Sequence, residues 1–333
     1  QGHNVAMDIQ DDSTFWNAQI LLDSLTVQNG HLKLGDYRSD IGSLTVASGE
    51  FSSVGGNSFG DVTLNGGNAS FTKGSISGSL VIENGHQAKL SQMNSGITTT
   101  NVVNNGTLTL DDHTAISVSK SFTSTGLLEI TGNSSLTVVT DMEVANTRLT
   151  NGSIETNGLM TINGDLAAMD GNVSSSLTAR NMMVGKDGNL NLSIGSNSVT
   201  VSDTLLITAG TNSISGSVAA DSITVTDGTT DISGNVIAGT GLSVSGGDLS
   251  IKVQGNTLSS LGVVSLEGGK VKLAGSDEAH RTINAFSVNI ATNNGTGSYG
   301  TLTLDNVHLT LDGGSGSLLL DGGLLSFSNN SVL

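Results

Sequence analysis

The chain has 333 residues, of which 36% are hydrophobic and only 12% charged; 12 basic against 29 acidic residues give a net charge of −17. That balance excludes a charge-driven disordered chain and disfavours binding to nucleic acid or to anionic lipid, since a phosphate surface is repelled. With no cysteine there is no disulfide or thiolate metal site, and with no proline every backbone N–H remains free to donate to a neighbouring strand.

Residues 1–19, with Phe15 and Trp16, do not repeat cleanly and read as an irregular N-terminal cap. From residue 20 one unit recurs: alternating apolar residues, an Asn-Gly or similar bend, then alternating apolar residues again. It reads Leu25-Thr26-Val27, Asn29-Gly30, Leu32-Lys33-Leu34, and next Leu44-Thr45-Val46, Ser48-Gly49, Phe51. Leu80-Val81-Ile82 precedes Asn84-Gly85, and much later Val264-Ser265-Leu266 precedes Gly268-Gly269 and Val271-Lys272-Leu273. The marker residue of the first strand runs Val27, Val46, Leu64, Ile82, Val103, a degenerate coil near Phe122 and Ser124, Val144, Ile162, Val184, Ile207, Val225, Val244, Leu266 and Ile290. Further coils follow at Leu302/Leu304 and Leu318/Leu320, giving roughly 15 or 16 coils of 18 to 24 residues.

Period-2 alternation of Val, Ile, Leu and Thr, with no helical periodicity, defines an all-β chain. Asn-Gly bends are also a hairpin signal. The length of the unit decides for a parallel β-helix, because about 20 residues hold two or three short strands with bends between them. Val27, Val46, Leu64 and Ile82 are expected to stack as an apolar ladder, with Phe51, Phe59 and Phe71 inside the coil. Asn29, Asn84 and Asn105 are expected to serve the bends by turn chemistry, with a ladder of carboxamides bonded to one another as the alternative. No composition break separates domains, so residues 20–333 read as one continuous solenoid, ending at Ser331-Val332-Leu333 inside the apolar pattern as if cut from a longer chain.

The strings SLTVQNGHLKL (24–34), SLTVASGEF (43–51), DVTLNGGNASF (61–71) and SITVTDGTTDIS (222–233), together with the absence of cysteine and the acidic balance, resemble the passenger domains of bacterial autotransporters, particularly the adhesin and self-associating kind. The resemblance covers residues 20–333. It implies a right-handed parallel β-helix at the Gram-negative cell surface, held by a C-terminal barrel that this sequence does not contain. It implies adhesion rather than catalysis, with aggregation, biofilm formation or host attachment as the role. The expected partners are a second copy of the chain or a host glycoprotein or glycan, with no nucleic acid and no membrane insertion of this segment. Two rivals are a carbohydrate-active β-helix of the tailspike or lyase kind and a stalk for an absent N-terminal domain.

Catalytic and metal motifs are thin, and the expected site is none: no catalytic residue, no cofactor, no metal. Gly56-Asn57-Ser58-Phe59-Gly60 matches the GxSxG elbow, but that motif needs a strand-to-helix turn. The histidines His3, His31, His86, His113, His280 and His308 lack metal-ligand spacing, and His31 and His86 follow bends directly. The carboxylate pairs are Asp11-Asp12, Asp111-Asp112 and Asp277-Glu278; sequence neighbours on a strand face opposite ways. Lys270, Lys272 and Arg281 form the nearest approach to a basic cluster. Gly313-Gly314-Ser315-Gly316 lacks the aspartate of a calcium-binding nonapeptide, and the sequons at Asn68, Asn105, Asn133, Asn151 and Asn172 follow from composition.

Overall fold

The computed structural model describes residues 6–9, 14–16, 19–93, 97–162, 166–169, 176–179, 181–184, 192–194, 198–253, 259–275, 281–293, 296–311, 316–329 and 331–333. Among these there is no helix, and parallel strands stack as a β-solenoid of about 13 turns. The 15 or 16 coils counted from the sequence are too many in part because Leu302 and Leu304 pair with Val271 and Leu273 on the second face and belong to the coil of Ile290. The chain forms two compact units, Gln1–Gly158 with Asp170–Ser175 and Leu159–Met169 with Ser176–Leu333.

In the first unit each coil presents three inner faces. Strand Leu21–Val27 spans two of them, bending at Asp23, and is paired in parallel with Asp40–Val46, which pairs with Ser58–Leu64. The first face stacks Val27 on Val46, Leu64 and Ile82, all fully buried, as expected. Such stacking follows from alternation: residues of one parity face inward, and a parallel register sets like positions over each other. The third face carries Leu22, Ile41, Phe59 and Ile76, then Ile97, Ile116, Leu136 and Ile154, with a second buried apolar residue in two of these coils, Val118 over Val138.

The ladder departs from the sequence reading at the fifth coil. Ile82 pairs with Asn104, not Val103, and Asn104 pairs with Ser124; both polar side chains are buried and Val103 is turned outward. Polar residues are tolerated inside because they bond to one another: Asn104 Nδ2 donates to Ser124 Oγ and to the Leu127 carbonyl, each at 2.9 Å. A second polar column lies at a corner. Asn57 accepts from Ser39 N at 2.9 Å and donates to Ser53 Oγ at 2.8 Å, while Thr114 accepts from Met93 N at 3.5 Å, and its own N–H donates to Ser134 Oγ at 3.1 Å.

On the second face Phe51 lies over Ala69 and Ser53 over Phe71, so large residues alternate with small ones between coils. Phe51, Phe59 and Phe71 meet with ring centroids 5.1 to 5.7 Å apart, two of the three contacts edge-to-face. Residues 1–19 are not wholly irregular: Ala6–Ile9 pairs with Leu21–Val27 and Thr14–Trp16 with His31–Leu34, both in parallel.

The second unit repeats the plan. Its first face stacks Ile162, Val184, Ile207, Val225, Val244, Leu266 and Ile290. Its second face places the buried pair Asn212 and Thr230 in register, joined by a 3.2 Å hydrogen bond, and then Leu249, Val271 and Leu302.

Candidate functional site

Side chains that alternate with the buried ladder form outward columns, and in the first unit those of the second face make a polar shelf. His31, Glu50 and Asn68 run along one column; Lys33, Ser52, Ser70, Lys89, Thr109, Glu129 and Arg148 run along the other. Around Ser52, Asn68 and Ser70 the short side chains leave an open depression of about 420 Å³, bounded by His31, Glu50, Gln87 and Lys89.

Charges on the shelf are matched locally. His31 Nε2 lies 3.1 Å from Ser52 Oγ and its Nδ1 is 3.9 Å from Glu50; Arg148 is 3.6 Å from Glu129, which accepts from Thr109 Oγ1 at 3.4 Å. Asn68 Oδ1 accepts from the Gln87 N–H at 2.9 Å, holding the carboxamide against the face. The shelf is thus a fixed array of donors and acceptors repeating at the strand spacing of about 4.8 Å.

At its corner Lys89 joins the shelf to Asp111, 3.0 Å away. Asp111 also accepts from Thr131 Oγ1 at 3.0 Å and from the Asp112 N–H at 2.8 Å. Asp112 accepts from Gln92 Nε2 at 2.5 Å and lies 3.2 Å from His113 Nδ1. The Lys89 hydrogen bond chiefly holds the Asp111 carboxyl below its ordinary pKa; the Gln92 bond does the same for Asp112. These bonds favour the ionised form of both carboxyls and tie the pair to the corner. Sequence adjacency does not separate the two as expected: Asp112 has φ of 52°, in the left-handed region, and leaves the strand. Gln92 (51°), Lys73 (56°) and Gly55 (92°) bend the preceding coils in the same sense.

The other candidates resolve as follows. Residues 56–60 enter strand Ser58–Leu64 rather than a helix, with Asn57 buried and hydrogen-bonded, so no nucleophile elbow forms. His31 begins strand His31–Leu34 and is half-buried on the shelf; His86 follows the Asn84-Gly85 turn. His113 is exposed at the corner, and His308 lies on strand Val307–Leu311. Lys270 pairs with Asp248 at 3.5 Å and Lys272 with Asp305 at 2.9 Å, so they form no free basic cluster. Of the sequons, Asn68 is on the shelf, while Asn105 and Asn133 are at bends. His3, His280, Asp11-Asp12, Asp277-Glu278, Asn172 and the glycines at 313 and 314 lie outside the described residues. Among the described residues no group of three His, Cys, Asp or Glu is placed to hold a metal ion.

Two of the three bend asparagines, Asn29 and Asn105, are bonded to hydroxyls and a carboxylate of adjacent coils, not to one another. Asn29 accepts from Ser48 Oγ at 3.0 Å, and Asn105 accepts from Thr125 Oγ1 at 2.8 Å while donating to Glu83 at 3.5 Å. The shelf itself was missed by sequence reasoning. Its signal was present in the outward position next to each inward Leu or Phe, as Lys33 precedes Leu34 and Ser70 precedes Phe71, but the columns appear only once the register is known.

Fold and surface together define the chain as a parallel β-solenoid protein with columns of outward polar side chains. Comparison with protein families, curated proteins and solved structures finds no match.

Proposed function

We propose that this chain is a non-enzymatic adhesive domain displayed at a bacterial cell surface, of the autotransporter passenger kind. It acts through extended contact with a second copy of itself or with a host glycoprotein or glycan. The observation that carries the reading is the shelf: ordered donors and acceptors at regular spacing around a shallow polar depression, with its charges already paired.

Each hydrogen bond to a partner contributes about 0.5–1.5 kcal/mol net, which is weak singly. Repetition at one spacing, and display of many copies on a cell, raises the effective strength by about 10² to 10⁴ without any stronger contact. A carbohydrate partner suits the same geometry, since hydroxyls pair with Asn, Gln, Ser and Lys side chains. The lowered pKa values of Asp111 and Asp112 support binding at this corner over acid catalysis there.

The test is display of the segment on a non-aggregating bacterium, followed by settling and microscopy. Clumping supports the self-associating form and attachment to host cells supports the host-binding form; the absence of both would reject adhesion. Replacing Ser52 and Ser70 together by Trp fills the depression from outward positions, and should reduce either activity at least several-fold while leaving the β circular-dichroism signal unchanged.

A further inference from the structure

Asn-Gly pairs occur at several bends, and the structure separates one from the rest. Ile82 stacks on Leu64 and Ala88 on Ala69, so the bend between Ile82 and Ala88 is one residue longer than the bend of the preceding coil. It is two residues longer than the bend between Asn104 and Leu108 in the following coil. The surplus is taken up by a β-turn closed by His86 N–H donating to the Glu83 carbonyl at 3.2 Å, with Asn84 and Gly85 at its tip. Gly85 has φ of 85°, and nothing lies within 4 Å of the position a side chain would occupy there. Both tip residues are exposed, and no hydrogen bond reaches the Asn84 carboxamide or the Gly85 N–H.

The other Asn-Gly bends among the described residues differ. Gly66 N–H donates to the Val46 carbonyl at 3.2 Å, and Gly158 N–H to Thr156 Oγ1 at 3.2 Å. The carboxamides of Asn29 and Asn105 are held by hydroxyls of the next coil, and Gly106 packs against the His86 carbonyl.

We propose that Asn84 is a site of spontaneous modification, converting to aspartate and isoaspartate through a cyclic imide while the other described Asn-Gly bends are protected by the stack. The Gly85 nitrogen attacks Cγ of Asn84; the new N–C bond forms as the Cγ–NH₂ bond breaks, and ammonia leaves carrying the proton lost by Gly85. Water then opens the ring at either carbonyl, restoring the Gly85 N–H and leaving a carboxylate. No oxidant, metal or enzyme takes part. Ring closure rotates the backbone at Asn84, which only a turn standing clear of its neighbours permits without opening ladder hydrogen bonds. The product adds one negative charge beside Glu83, at the corner that leads into Gln87 of the shelf. The inference stands whether or not the chain is an adhesin.

The experiment is incubation of the folded protein in mildly alkaline buffer, with proteolytic peptides followed by mass spectrometry for the gain of about 1 Da and by isoaspartyl methyltransferase labelling. Asn84 should convert roughly ten-fold faster than Asn65 or Asn105, and the same chain in denaturant should lose that ranking. Asn84→Gln should remove the early labelling with no change in circular dichroism. Conversion of Asn65 or Asn105 as fast as Asn84 in the folded protein would overturn the proposal, as would early labelling that persists in the peptide around residue 84 of Asn84→Gln.

Discussion

Asn57 illustrates how a single side chain fixes a corner. Its carboxamide is wholly buried, accepting from Ser39 N–H and donating to Ser53 Oγ, the Val54 carbonyl and the Gly35 carbonyl. Asn57→Ala leaves a buried N–H and a carbonyl without partners, and should destabilise the fold by about 1–3 kcal/mol in denaturant titration. Glycine acts here through space. A methyl group at Gly66 would be driven into the Ala47 carbonyl oxygen of the preceding coil, so Gly66→Ala should cost about 1–3 kcal/mol by the same measurement. Asp305 gives a pH signature. Its carboxyl, bonded first to Lys272 and then to Asn329 and Ser328, titrates below its ordinary value. A lowered folded pKa supplies stability above the unfolded value near about 4, and that stability is lost as pH falls through the folded pKa. The melting-temperature gap between the protein and Asp305→Asn should therefore be present at neutral pH and close in acid.

At the scale of the strand and its coil, the aromatic cluster of the first unit is the largest local store of packing. Phe71→Ala removes two ring contacts and opens a cavity beneath Ser53, with an expected loss of about 3–5 kcal/mol in chemical denaturation. This cluster was legible in the sequence because Phe51 and Phe71 sit on strands of clear alternation. So were the ladders through Val27, Val46, Leu64 and Ile82. Asn104 and Ser124 were not, because a rule that looks for apolar residues inside passes over a buried carboxamide and steps to Val103. The third face was hard to see for a different reason. Where it holds one apolar residue per coil, as at Ile41 or Ile97, it carries no alternation of its own; only Ile116-Ser117-Val118 and Leu136-Thr137-Val138 show one in the first unit. The shelf depends on register, which shifts where bends change length, as between Leu64–Ala69 and Ile82–Ala88. No periodicity in the sequence announces such a shift.

For the molecule as a whole, the governing quantities are the parallel stack and the charge of −17. Proline is absent because the N–H groups of an interior strand donate in turn to the neighbours on both sides, as Leu127 does to the Gly106 carbonyl and Leu128 to the Asn146 carbonyl. Two copies of so acidic a chain repel at low salt, where the screening length is about 30 Å at 0.01 M against about 8 Å at 0.15 M. If the partner is a second copy, clumping of displayed cells should increase over that range; a decrease would identify a cationic partner instead.

All of these outcomes rest on parallel coils in the stated register, which a pair of engineered cysteines reads directly in a chain that has none of its own. Thr45 and Thr63 are neighbours on adjacent strands, so Thr45→Cys with Thr63→Cys should form a disulfide on mild oxidation. Thr45→Cys with Ser52→Cys, which a hairpin about Ser48-Gly49 would bring together, should stay reduced. A cross-link in the second variant and none in the first would contradict the solenoid and the shelf built upon it.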